Sequence, residues 1–110
     1  AWASLPAAEQ GEMEEAMAML TEAGAQGHID ANFKLGILLK DVRKDFDGAE
    51  AAYRAAIAAN PRGGRAHTNL GVLLAKHAEK SEVGGGDLSD IAALWVQAVE
   101  HFTNAVWLGD

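Results

Sequence analysis

The sequence predicts an all-α domain of about five antiparallel helices. Hydrophobic residues make up 49% of the 110-residue chain, largely alanine, with two prolines and few β-branched residues, which suits closely spaced helices better than a bulky sheet core. One spacing occurs three times, a small residue followed by a large one four on and a small one seven on: Ala16, Leu20, Ala23; Ala49, Tyr53, Ala56; Ala98, Phe102, Ala105. Two Leu-Gly pairs, Leu35-Gly36 and Leu70-Gly71, precede the second and third copies.

Residues four and seven apart share one face of a helix, so each triplet sets a large knob between two small residues. Gly36 and Gly71 lack a Cβ and let a second helix come close, a use that offsets the roughly 1 kcal/mol an interior glycine costs against alanine. Pro61 cannot continue a helix and disfavours the α conformation at Asn60, so Asn60-Pro61 is a stop and Arg62-Gly63-Gly64 a turn.

The stretch 35–71 holds Leu35-Gly36, Ala49, Tyr53, Ala56, Pro61 and Leu70-Gly71 in order, and it resembles one tetratricopeptide (TPR) unit running into the next. The resemblance implies paired helices, A carrying Leu-Gly and B carrying the triplet and exit proline. They would stack as a short right-handed superhelix that serves as a binding scaffold. Taken in order, residues 1–10 are weakly patterned, with Pro6 breaking or beginning a helix. From Gly11 the chain resembles the entry to a helix B with Met13, Ala16, Met17, Leu20 and Ala23 on one face. All three methionines, with Met19, lie here, and helical spacing reads them as core. Gly24-Ala25-Gln26-Gly27-His28 ends that helix, and its shortened link to Gly36 looks like the related Sel1-like repeats.

Helix A of the complete unit spans about 30–40. A charged connector at 40–44 carries one residue more than the usual spacing, Asp45 is an N-cap for the next helix, Phe46 stands where the family has an aromatic before helix B, and helix B runs to about Ala59. The next helix A begins near Gly64. Gly71 to Ala98 is twenty-seven residues against thirteen from Gly36 to Ala49, so about fourteen are inserted. They include 76–82, which can extend the helix, and Val83-Gly84-Gly85-Gly86, which cannot stay helical. Asp87 or Ser89 caps the last helix, and Asp110 stands at its exit. The chain is thus one domain: a partial repeat at 1–28, a complete one at 29–61, and one at 62–110 with an inserted Gly-rich loop near 77–89.

The formal net charge is −7, which disfavours nucleic acid and anionic membrane surfaces as partners. Glu9, Glu12, Glu14, Glu15, Glu22 and Asp30 all precede the first base, Lys34, and read as a solvated face or as steering for a basic partner. The absence of cysteine removes disulfides and thiolate chemistry, and no apolar run is long enough to cross a membrane. A start at Ala1 fits a processed mature chain, organellar for instance, or an excerpt of a longer repeat array.

No nucleophile, base and orienting group assemble, so no catalytic residue and no small-molecule substrate is expected. His28, His67, His77 and His101 are spread over separate elements and predict no metal site; His67 reads as a packed histidine. Gly84-Gly85-Gly86 follows a helix and lacks the Lys-Ser/Thr of a phosphate loop. No cofactor is implied. The expected function is a non-catalytic interaction module, a small subunit or assembly factor whose partners are other protein subunits. Trp2, Phe33, Trp95 and Trp107 are the expected aromatic anchors. In the last helix Ile91, Leu94, Trp95, Ala98, Val99, Phe102, Ala105 and Val106 form one apolar stripe for packing, with Ala92, Val96, Trp107 and Leu108 off it. Trp107 either folds back over the end or forms a sticky edge. The resemblance places a peptide groove on the helix A faces, with Phe33, Ile37, Arg65 and flanking Lys34 and Asn69. Arg65 and Asn69 match single positions of the chaperone-binding carboxylate clamp, but its first Lys/Asn pair has no match, so chaperone-tail binding is not expected.

Overall fold

A computed structural model describes residues 2–109. Among them the chain is helical with no strand: α1 (Ala7–Ala25), α2 (Ile29–Leu38), α3 (Phe46–Ala59), α4 (Gly64–Val83) and α5 (Leu88–Trp107), with a short 3₁₀ turn at Trp2–Ser4 and a π-helical turn at Leu39–Arg43. The chain divides into two compact units, Ala1–Asn60 and Pro61–Asp110. Asp110, expected at the exit of the last helix, lies outside the described residues.

In the first unit Pro6 begins α1 rather than breaking it, and the helix runs straight through Gly11. Residues 2–10 hold only the 3₁₀ turn at Trp2–Ser4 and the first residues of α1. Gly11 is exposed with open space around its Cα, so its cost stays at the roughly 1 kcal/mol of an interior glycine, too little to interrupt nineteen residues. The inward line of α1 is Met17, buried, with Met13, Leu20 and Gly24 half-buried; Ala16 is exposed, which corrects the first copy of the triplet, and Met19 is 71% exposed, which corrects its reading as core. Met17 joins Leu35 and Ala52 in one cluster, with Leu38, Leu39 and Val42 packed against it. Gly24 meets Asn32, Met17 meets Leu35, and Glu14 pairs with Arg43, so α1 and α2 run antiparallel. Gly27 turns the chain at φ +88°, the left-handed conformation a glycine adopts without strain.

The residue in excess between Gly36 and Ala49 has a definite place. α2 ends at Leu38, and the next five residues widen into a π turn, which accommodates one extra residue without unwinding the helix. Lys44 then adopts the left-handed conformation (φ 56°), and the Asp45 side chain accepts from the Gly48 N–H at 2.9 Å as the α3 cap. Across the hairpin, Tyr53 is fully buried against Gly36. A Cβ added to Gly36 would stand 2.5 Å from its ring, closer than packed atoms allow.

The second unit is the hairpin of α4 and α5, and it repeats that contact. A Cβ on Gly71 would stand 2.9 Å from the Phe102 ring, with Ala98 and Ala105 buried to either side. The inserted residues are mostly helix, not loop: α4 continues to Val83 and α5 begins at Leu88, leaving Gly84 to Asp87 as the connection. Asp87 is the cap, accepting from Ser89 N–H at 2.8 Å and Asp90 N–H at 3.2 Å. Ala78, seven past Gly71, and Ile91, seven before Ala98, are both buried. Seven residues are close to two turns, so the insertion lengthens each helix while keeping its inner face in phase.

Candidate functional site

α5 is apolar around most of its circumference, and a helix of that kind in an aqueous protein has more than one face to cover. One side is used. Ile91, Ala98 and Ala105 are buried toward α4, and Leu94, Trp95, His101 and Phe102 are half-buried beside them. The solvent-facing side carries Val96 (57% exposed), Val99 (59%), Val106 (75%) and Trp107 (84%), with Ala92 and Thr103 alongside. The steps 92, 96, 99, 103 and 106 alternate four and three, the spacing that lines residues up along one edge of a helix. From Ile91 to Gly109 the only acidic or basic residue besides His101 is Glu100, so the face is weakly charged as well as apolar. Contiguous exposed apolar surface of this kind marks interaction sites more than scattered single residues do.

This face corrects the expected stripe. Val99 and Val106, assigned to packing against the preceding helix, point to solvent instead. Their positions fall about a quarter turn from the line of Ile91, Ala98 and Ala105, and one helix cannot cover so wide an apolar arc. The signal was present in the sequence as an arc too broad for a single neighbour. Trp107 does not fold back over the end.

The remaining candidate residues fall in separate places. Trp2 is half-buried and lies under the Arg43 guanidinium, 4.7 Å from its ring centroid, while Gln10 Nε2 donates to the Trp2 and Leu5 carbonyls. Trp2 thus serves to fasten the start of the chain to the π turn. Phe33 is half-buried and tilted against Tyr53 at 6.2 Å between centroids. Ile37, one turn on, is half-buried, and Lys34 is exposed. Arg65, exposed, and Asn69, half-buried, lie one turn apart on α4 in the second unit. Trp95 is half-buried, and its indole N–H donates to Glu82 Oε1 at 2.8 Å, tying α5 to the far end of α4. It therefore lies on a different side of α5 from Trp107.

The histidines are not all dispersed in space. His67 is 6% exposed, as its packed reading requires, and it meets His101 on α5. Among the described residues, no group of three or more His, Cys, Asp or Glu side chains could hold a metal ion, and no helix is long and apolar enough to cross a membrane. Comparison of the chain with protein-family models, with curated proteins and with solved structures found no match.

Proposed function

We propose that this chain is a non-catalytic protein-interaction module of TPR or Sel1-like type, a small subunit or assembly factor that docks on another protein through the outer face of α5. The supporting observation is the solvent-exposed line of Val96, Val99, Val106 and Trp107, accompanied by the single carboxylate of Glu100. Trp107 supplies the large, amphipathic anchor on which interface energy concentrates, and the valines supply flat apolar area around it. The repeated Gly–aromatic contact in the two hairpins supports the repeat-family reading.

The test is the native mass of the full chain from its source by light scattering, followed by identification of what travels with it. A stable complex with other proteins is expected. Trp107→Ser with Val99→Asp should weaken it by about 30-fold or more, the scale of losing a hot spot of about 2 kcal/mol. A monomer in its source, unchanged by those substitutions, overturns the proposal. An adaptor that holds a peptide on α2 and α4 would instead respond to Lys34→Ala, Arg65→Ala and Asn69→Ala and not to Trp107→Ser.

A further inference from the structure

We propose that the Asp47–Gly48 link is a modification site, where spontaneous succinimide formation converts aspartate to isoaspartate, and that the Asp45 cap of α3 holds it closed in the folded chain. It is the one place in the sequence where glycine follows an aspartate or an asparagine. Glycine has no Cβ to hinder its nitrogen. In an open chain that nitrogen turns readily onto the carboxyl of the residue before it.

The reaction needs no partner but water. The Gly48 backbone nitrogen attacks the side-chain carboxyl carbon of Asp47. A C–N bond forms, and one carboxyl oxygen departs as water, taking the amide proton and the acid proton with it. The product is a cyclic imide, the succinimide. Water then adds to either of its carbonyls and breaks one C–N bond. Breaking the side-chain bond restores aspartate. Breaking the main-chain bond leaves isoaspartate, with the chain running through the side-chain carbon and one methylene longer.

The fold opposes the first step in three ways. Gly48 donates its N–H to Asp45 Oδ1 at 2.9 Å, so the attacking nitrogen is engaged by a different carboxylate. Asp47 and Gly48 are the second and third residues of α3, and helical side chains lean toward the N-terminus, which carries the Asp47 carboxyl away from the nitrogen that follows it. The Ala49 N–H donates to the Asp45 carbonyl at 2.9 Å, closing a helical ring that contains both residues.

One glycine serves both the cap and the lability. A Cβ on Gly48 would run into the Asp45 carboxylate, so the close cap requires the residue that makes the link reactive. Asp47 is exposed, which gives water access to the imide. Once isoaspartate forms, its extra main-chain atom prevents the ring from Asp45 to Ala49 from closing, and Ala49 is fully buried. The first turn of α3 then stays released, and the product records how long that turn has spent open.

The experiment follows the covalent state of the full chain without a partner, so its outcome is independent of docking through α5. Samples held at neutral pH are digested and their peptides separated by liquid chromatography with mass spectrometry, where isoaspartate elutes apart at unchanged mass. Circular dichroism confirms that each variant is folded. Asp45→Ala should accumulate isoaspartate at Asp47 about 5-fold faster than the wild type, the factor by which losing a cap of about 1 kcal/mol raises a local opening equilibrium. Asp45→Asn, whose amide oxygen caps comparably, should keep the wild-type rate. In urea all three chains should convert at one rate, since no cap remains to be lost. No difference between the wild type and Asp45→Ala when folded, or no isoaspartate at Asp47 in urea, overturns the proposal.

Discussion

The hairpins α2/α3 and α4/α5 are built on the same contact and finished differently. In each, a glycine on the first helix receives an aromatic ring from the second, Tyr53 on Gly36 and Phe102 on Gly71, with a buried alanine a turn to either side. In the first, Tyr53 is sealed from solvent, and α2 is covered from its other side by α1 through Met17 and Leu35. In the second, Phe102 is only half-buried and the outer face of α5 stays apolar and exposed. The small-residue pairing thus sets how two helices meet. What lies outside the pair is set by other residues, and on α5 those residues are valines and a tryptophan.

The largest test of this contrast is truncation of the two rings. Tyr53→Ala should cost about 3–5 kcal/mol, the range for deleting a fully buried aromatic, and Phe102→Ala about half as much because part of its ring already meets water. Urea unfolding of both variants measures the difference; equal losses would mean that the two contacts are buried alike. Next comes filling the glycines. Gly36→Ala should destabilise by about 2 kcal/mol, overpacking offset in part by better helix propensity. Gly71→Ala should cost less, about 1 kcal/mol or below, since the half-buried Phe102 ring has room to swing away. A larger effect at Gly71 than at Gly36 would reverse the comparison. The smallest effect is at the caps: Asp45→Ala and Asp87→Ala should each cost about 1 kcal/mol, with Asp87 the larger because it accepts from two N–H groups and Asp45 from one. Melting temperatures resolve the order.

Much of this was legible in the sequence where one residue type admits one physical use. Gly36 beside a buried Tyr53, the stop at Asn60-Pro61 and the Asp45 cap all follow from local chemistry. α1 was less legible because Ala16 and Met17 are both acceptable core residues. Only packing against Leu35 selects the line through Met17. The extra residue before Ala49 was visible as a count, but its form, a π turn that brings Arg43 over Trp2 and against Glu14, depends on partners far along the chain. The exposed face of α5 was misassigned because valine suits either side of a helix. The meeting of His67 and His101 needs the relative phase of two helices whose sequence separation is thirty-four residues, which no local spacing encodes.

The insertion in the second hairpin has a consequence for how such a pair can change length. Ala78 and Ile91 lie seven residues from Gly71 and Ala98, and seven bring a helix nearly back to the same angular position. The hairpin therefore works like a ruler with fixed graduations. Adding or removing a heptad from both arms moves the tip, with Val83 and Leu88 on either side of the glycines, by about 10 Å along the pair and leaves Gly71 against Phe102. A change confined to one arm, or not a multiple of seven, would rotate the inner face away from its partner. Reach can thus vary in discrete steps while the contact that defines the pair stays constant.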